Sequence, residues 1–187
     1  TNTIITAMYQ EHGVTPSPKM AGLMAAAILS DTVMFKSPTC TKKDIAMAER
    51  LARIARISLK ELGRELFSST SDGKSAEELL GTDYKEFHIS GQTIGVGQIT
   101  CVDSSKLVER RDEFIEAMEK VKQRSNCDLV ILMITDVLLD GSHIFYVGSD
   151  DVMQEAFSAV PKDKHMFLPK VMSRKKQIIP MLTAMWG

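Results

Sequence analysis

The stretch from Leu129 to Ile134 is the feature that most constrains the fold of this chain. It reads Leu-Val-Ile-Leu-Met-Ile, an apolar run without a polar interruption. A strand of this kind is typical of a sheet that is covered on both faces. The segment therefore predicts a layered α/β/α domain in which helices pack on each side of a sheet.

Strands and helices alternate around this segment, as such a domain requires. The pattern predicts strands at 93–102, 143–147 and 164–168 and helices at 104–123, 151–160 and 178–186. The highly charged helix at 104–123 has an apolar face made of Leu107, Val108, Phe114, Ile115, Met118 and Val121. We expect this face to pack inward, against a mixed sheet.

The first third of the chain is helical instead, with predicted helices at 3–11, 21–34, 41–57 and 58–67. Thr41 and Ser58 each precede an acidic residue by three positions, the spacing of a capping box at a helix start. A polar, turn-rich stretch follows at 68–75 and indicates a linker. The sequence therefore predicts two parts, at 1–67 and 75–187, joined by a linker at 68–74.

Composition excludes several classes of protein. The chain has 187 residues, 44% of them hydrophobic, and a net charge of −1, which argues against disorder and against a general nucleic-acid or anionic-membrane surface. No charge-free apolar run reaches about 18 residues, so a membrane span is not expected. The three cysteines are odd in number and widely spaced, which predicts reduced thiols in a cytoplasmic protein.

Asp31 is a candidate site residue because it lies within a helix predicted to be buried on most sides. A buried carboxylate is unfavourable unless it is paired or bound to a cation. Two interpretations stay open on the residues alone. Asp31 either caps a neighbouring amide or meets Lys36, or it is a metal ligand.

Arg174, Lys175 and Lys176 form a second candidate, three adjacent cations just before a predicted helix. Arginine offers a planar fork for phosphate oxygens, lysine a point charge, and a helix N-terminus adds amide donors. The alternative is a solvated basic loop. Lys85 alone indicates only a surface lysine, the four histidines lack metal-ligand spacing, and no residue order predicts a catalytic nucleophile.

Five blocks of the sequence resemble the family II inorganic pyrophosphatases, the manganese-dependent members of the DHH phosphoesterase superfamily. They are residues 21–41 around Asp31, 84–87 around Lys85, 97–103, 132–136 and 173–180. The resemblance spans essentially the whole chain, in order. The Ser-Arg-Lys-Lys-Gln block favours a pyrophosphatase over the exopolyphosphatase relatives.

The resemblance implies that this chain is the C-terminal portion of such an enzyme. Residues 1–67 would be a helical remnant of the DHH metal-binding domain, and 75–187 the DHH-associated, substrate-binding α/β/α domain. Asp31 would be a metal ligand, while Lys85, Arg174 and Lys175 would grip pyrophosphate. The D-x-D and DHH motifs, which carry most metal ligands in the family, would lie before Thr1.

The implied function of the full-length protein is hydrolysis of pyrophosphate to two orthophosphates. Two metal ions would clamp the phosphate oxygens and lower the pKa of a bridging water. The expected ions are Mn²⁺, with Co²⁺ as an alternative, and Mg²⁺ with the substrate. The full-length protein is expected to be a cytoplasmic homodimer, and this chain alone to be inactive. The alternatives are an exopolyphosphatase or other DHH phosphoesterase, and a non-catalytic phosphate-binding module.

Overall fold

A computed structural model of the chain describes residues 1–68 and 73–186. The chain divides into two compact units, Thr1–Ser69 and Thr70–Gly187. Most of the predicted linker at 68–74 lies outside the described residues, and Ser68 ends a helix. Within the described part of the chain, no helix is long and apolar enough to cross a membrane.

The described part of the first unit is helical, as predicted, with α1 (Asn2–Glu11), α2 (Pro18–Thr32), α3 (Lys42–Ala55) and α4 (Leu59–Ser68). The predicted capping box is present at the start of α3. Thr41 Oγ1 accepts the N–H of Asp44 at 3.2 Å, and the Asp44 carboxylate accepts the N–H of Thr41 at 2.7 Å. The core of this unit consists mainly of small and aliphatic side chains of α2 and α3: Ala21, Met24, Ala25, Ile28, Ala48 and Leu51.

The second unit is built on a mixed sheet in the order β1 (Tyr84–Ile89), β2 (Gln92–Cys101), β3 (Leu129–Asp136), β4 (Gly141–Val147) and β5 (His165–Pro169). Strands β2 and β3 are parallel, and the other neighbours are antiparallel. Every residue of β3 is buried. This burial confirms the prediction made from the apolar run.

Helices cover both faces of this sheet. One face packs against α5 (Ala76–Thr82), α6 (Ser105–Glu109) and α7 (Arg111–Arg124). The other packs against α8 (Asp150–Phe157), a π-helical turn (Arg174–Ile178) and α9 (Ile179–Trp186). The predicted α/β/α architecture with a mixed sheet is confirmed.

Three local elements differ from the sequence expectation. The helix predicted at 104–123 is two helices, interrupted at Arg110, where φ is −87° and ψ is 18°. The interruption lies within the charged run 109–113, where no apolar side chain ties the helix to the sheet. The pattern does not predict β1 or α5, because β1 is mostly exposed or half-buried and α5 has only 7 residues.

All three cysteines are free thiols, as their spacing predicts. Cys101 and Cys127 are buried, and Cys40 is half-buried. Burial, followed by the carboxylates of Asp136 and Asp103, raises the pKa of the Cys101 thiol to about 12. This thiol therefore stays protonated and unreactive near neutral pH.

Candidate functional site

The register of the sheet brings two of the candidate cations of the second unit, Lys85 and Arg174, to one edge. Lys85 lies on β1 directly opposite Val96 of β2. The carbonyl oxygen of Val96 accepts a hydrogen bond from Nη1 of Arg174 at 3.0 Å. Lys85 and Lys175 are both exposed. Residues that lie far apart in the sequence thus come together beside β1.

The guanidinium of Arg174 is turned into the protein. Its side chain is 8% exposed, and Nη2 lies 2.8 Å from Oδ1 of Asp83. Nη1 also donates to the main-chain oxygen of Asp83 at 2.6 Å. With the bond to Val96, protein acceptors occupy three of the five N–H donors of this arginine. The neighbouring Lys175 and Lys176 are exposed.

The cation block, which the sequence places just before the last helix with a solvated loop as the alternative, lies within a helical turn. Arg174–Ile178 is a π-helical turn that leads directly into α9. Ser173 Oγ accepts the N–H of Lys176 at 3.4 Å, and Gln177 Oε1 accepts the N–H of Ser173 at 3.0 Å. Turns of this type are rare and occur often at functional sites.

Asp31 lies in the first unit, one residue before the end of α2, and its side chain is exposed. The expectation of a buried carboxylate is wrong, because α2 buries Ile28, Leu29 and Thr32 and leaves Asp31 on its open side. A helix C-terminus carries partial negative charge, which disfavours a carboxylate and favours a cation. A cation bound to the carboxylate of Asp31 would offset the unfavourable interaction between that carboxylate and the helix end.

A left-handed turn follows Asp31. Val33, Met34 and Phe35 have φ angles of 48°, 51° and 67°, a conformation that costs an L-residue roughly 1–2 kcal/mol. The N–H of Met34 bonds to the carbonyl of Leu29 at 2.9 Å and stabilises the turn. Backbone strain of this kind persists where the surroundings impose it, and it clusters at functional sites.

Asp31 does not form a metal site by itself. Within residues 1–68 and 73–186, no group of three or more His, Cys, Asp or Glu side chains could hold a metal ion. A carboxylate oxygen suits Mn²⁺, Co²⁺ or Mg²⁺ as one ligand among several. The described residues therefore fit a single ligand and not a complete metal site.

Several polar residues near the cations carry no strong signal in the sequence. Asp83, which holds Arg174, is one of many acidic residues. Gln98, Thr135 and Ser142 lie on the three central strands and hydrogen-bond to one another on a largely apolar face. Gln98 interrupts an apolar stretch of its strand and Thr135 ends one, whereas Ser142, between Gly141 and His143, carries no such signal.

A pair of histidines also escapes sequence reasoning. Nδ1 of His143 and Nε2 of His165 are 2.9 Å apart, and the rings stack. Burial lowers the pKa of both imidazoles. His143 and His165 are 22 residues apart in sequence, so only the pairing of β4 with β5 reveals the contact.

Comparison with known proteins identifies the family. Residues 64–185, covering most of the second unit, match the DHHA2 domain. The chain belongs to the DHHA2 domain family. The resemblance of this DHHA2 chain to family II inorganic pyrophosphatases is confirmed by the relatives and the solved structure that follow.

Two relatives of the DHHA2 chain are named by the metal that they require. A manganese-dependent inorganic pyrophosphatase of Methanothrix thermoacetophila is 42% identical over 187 residues, covering 97% of this chain and 60% of the relative. A cobalt-dependent inorganic pyrophosphatase of Clostridium perfringens is 38% identical over 186 residues, covering 98% of this chain and 34% of the relative.

A solved structure supports the fold. A Methanococcus jannaschii protein assigned to family II of inorganic pyrophosphatases superimposes with a TM-score of 0.83 at 33% identity, covering 99% of this chain and 64% of that protein. The DHHA2 chain thus spans less than two thirds of the length of these relatives. The part that it matches is their C-terminal portion.

Proposed function

We propose that this DHHA2 chain is the pyrophosphate-binding portion of an inorganic pyrophosphatase. The full-length protein would hydrolyse pyrophosphate to two orthophosphates by a two-metal mechanism. The observation that carries the proposal is that Arg174 bonds to Val96, the β2 residue that pairs with Lys85, while the exposed Lys175 follows Arg174 directly in sequence. The names of the relatives, manganese- and cobalt-dependent inorganic pyrophosphatases, support the same substrate.

The three cations have different parts in this proposal. Lys85 and Lys175 are exposed and attract the phosphate oxygens as point charges. Arg174 offers a planar fork, but its carboxylate partner is Asp83 at 2.8 Å. Direct binding of pyrophosphate by Arg174 would use the two N–H donors that its protein acceptors leave, or would replace the carboxylate of Asp83.

Asp31 supplies one metal ligand in the proposal, and the other ligands come from outside the described residues. The ions are Mn²⁺ or Co²⁺, with Mg²⁺ accompanying the substrate. Such ions, when bound, stabilise the charge of a phosphoryl group and lower the pKa of a bound water. The exposed carboxylate beside the strained turn of α2 supports this assignment.

Two consequences concern the whole protein. We infer that the full-length enzyme is a cytoplasmic homodimer that acts on pyrophosphate and binds neither nucleic acid nor membrane. We also infer that this chain alone does not turn over substrate, because the described residues provide one metal ligand and not a complete site. Manganese-dependent hydrolysis of pyrophosphate by the purified chain would contradict the second inference.

Binding of pyrophosphate to this chain tests the cation assignment. We expect weak binding in isothermal titration calorimetry, and a loss of about tenfold in affinity in Lys175→Ala, since one charged contact is worth about 1.4 kcal/mol. The control is Lys162→Ala, an exposed lysine of the same unit that lies on neither β1 nor the π-helical turn. Equal losses in the two variants would indicate non-specific charge attraction.

The full-length protein tests the reaction and the metal ligand. We expect the full-length protein to hydrolyse pyrophosphate and not long-chain polyphosphate. The kcat/KM for pyrophosphate should be lower in Arg174→Ala, and the metal content should be lower in Asp31→Ala. Preferential hydrolysis of polyphosphate would favour an exopolyphosphatase. Absence of hydrolysis of either substrate, with phosphate binding retained, would favour a non-catalytic module. Unchanged metal content in Asp31→Ala would exclude Asp31 as a ligand.

A further inference from the structure

A line of polar side chains crosses the central strands on the face that packs against α8 and α9. Gln98 lies on β2, Thr135 on β3 and Ser142 on β4, where Ser142 pairs directly with Thr135. Nε2 of Gln98 lies 3.1 Å from Oγ1 of Thr135, and the hydroxyls of Thr135 and Ser142 are 3.1 Å apart. Thr135 and Ser142 are 0% exposed.

This polar line ends on the segment that precedes the cations. The hydroxyl of Ser142 donates to the carbonyl oxygen of Val171 at 2.5 Å, and Nε2 of Gln98 donates to that of Met172 at 3.4 Å. A hydroxyl carries one proton. Ser142 can therefore donate this proton either to the carbonyl of Val171 or to Oγ1 of Thr135, which also accepts from Nε2 of Gln98. Ser142 and Gln98 thus each place a donor within hydrogen-bond distance of a carbonyl oxygen of residues 171–172.

The same segment is held from its other side by Gln177. The side-chain oxygen of Gln177 accepts the N–H of Met172 at 2.8 Å, and its side-chain nitrogen donates to the carbonyl of Lys170 at 2.9 Å. Residues 170–173 are thus fixed between the sheet and the π-helical turn. Arg174 follows directly, so the position of this segment sets the position of the cation block.

Packing alone does not account for polar groups at these positions. The rest of this face is formed by side chains such as Ile131, Met133 and Ile144, and a valine has nearly the shape of Thr135. Buried hydroxyls are unfavourable unless each is satisfied. In the described residues no buried side-chain nitrogen or oxygen lacks a partner. The bonds to the segment complete this network, so the network and the segment stabilise one another.

We propose that Gln98, Thr135 and Ser142 are positioning residues that fix residues 171–173 and thereby set the affinity of the Arg174–Lys175 block for pyrophosphate. The proposal rests on the proposed function, since it takes pyrophosphate as the ligand. None of the three side chains needs to touch the substrate. Their contribution passes through the carbonyls of Val171 and Met172.

The experiment compares Thr135→Val with Thr135→Ser in this chain. Valine removes the hydroxyl and preserves the shape, whereas serine retains the hydroxyl. We expect amide hydrogen exchange at Met172 and Ser173 to rise at least about tenfold in Thr135→Val, with a loss of about tenfold in pyrophosphate affinity by calorimetry. Thr135→Ser should stay within about twofold of the unmodified chain in both measurements. Urea unfolding of each variant checks that the protein remains folded.

A second variant and a control complete the test. Ser142→Ala should reproduce the effect of Thr135→Val. Thr183→Ala should not, because the hydroxyl of Thr183 donates only to Ile179 within its own helix. Unchanged exchange at Met172 and Ser173, or equal affinity in Thr135→Val and Thr135→Ser, would overturn the proposal. Failure of the unmodified chain to bind pyrophosphate would instead contradict the proposed function, and the exchange measurement would still decide whether the network holds the segment.

Discussion

The contact between Arg174 and Asp83 pairs the guanidinium with a carboxylate of the protein itself. The carboxylate of Asp83 is 47% exposed in its side chain, whereas the side chain of Arg174 is 8% exposed. A pyrophosphate oxygen can therefore approach from the side of Asp83. The carbonyl oxygens of Asp83 and Val96 lie 2.6 and 3.0 Å from Nη1 of Arg174. These two hydrogen bonds keep the guanidinium in place.

Asp83→Asn is the residue-scale test of this competition. The substitution keeps the shape and removes the charge, so Arg174 should be released more readily. We expect pyrophosphate affinity to rise several-fold in calorimetry and the free energy of unfolding to fall by about 1 kcal/mol, as for a partly exposed charged hydrogen bond. The control is Asp112→Asn, which removes a similar charge beside Arg111 at an exposed site. Unchanged affinity in a folded Asp83→Asn protein would contradict competition between Asp83 and pyrophosphate for Arg174.

At the scale of the element, β2 depends on glycines that leave room for its neighbours. A Cβ built on Gly95 would lie 1.9 Å from the hydroxyl of Tyr84, and one on Gly97 would lie 2.8 Å from Cδ1 of Leu80. The Tyr84 hydroxyl also contacts Sγ of Cys127 at 3.6 Å. Because Tyr84 directly precedes Lys85, the space above Gly95 helps to set the position of β1.

Gly95→Ala tests this requirement. The added methyl group must displace the ring of Tyr84, and we expect a loss of about 1–3 kcal/mol in the free energy of unfolding, as for overpacked cores. Gly81→Ala is the matched control, since nothing lies within 4 Å of a Cβ at that position and alanine favours the helix. Urea unfolding followed by circular dichroism measures both. Equal stability of the two variants would show that the ring of Tyr84 moves away without loss.

At the scale of the whole molecule, the pair of His143 and His165 links stability to pH. Burial lowers the pKa of His143, although the carboxylate of Asp136 opposes this effect. Burial, then His143 and Arg111, lower the pKa of His165. These two histidines therefore bind fewer protons in the folded protein than in the unfolded chain, where histidines titrate near pH 6.5. The contribution of this pair to stability is fully present above about pH 6.5 and is lost as the pH falls below that value.

His165→Gln should reduce this dependence. We expect the free energy of unfolding of the unmodified chain to decrease between pH 7 and pH 5.5, and to decrease less steeply in the variant, because one group that gains a proton on unfolding is gone. His88→Gln is the control, an exposed histidine of the same unit. Urea titrations across this pH range measure the slopes. An identical slope in His165→Gln and the unmodified chain would contradict the linkage.

Local sequence patterns predict the features that depend on neighbouring residues. The apolar run of β3 predicts a strand that is buried on both faces, and the spacing of Thr41 and Asp44 predicts the start of α3. Both signals act over a few residues, so no knowledge of distant contacts is needed. The motif around Asp31 and the Ser-Arg-Lys-Lys-Gln block likewise indicate the family by local order alone.

Tertiary structure alone decided which of these groups meet. Arg174 contacts Asp83, which is 91 residues away in sequence. Gln98 and Thr135 are 37 residues apart, and His143 and His165 are 22 residues apart. Composition and periodicity contain no signal for such pairs, because strand order and register select them. The same holds for the exposure of Asp31, which depends on the side of α2 that its neighbours cover. Burial removes water from a polar group in the folded protein, and a buried group without a hydrogen bond is unfavourable. Each buried polar group is therefore paired with whichever partner the fold places beside it.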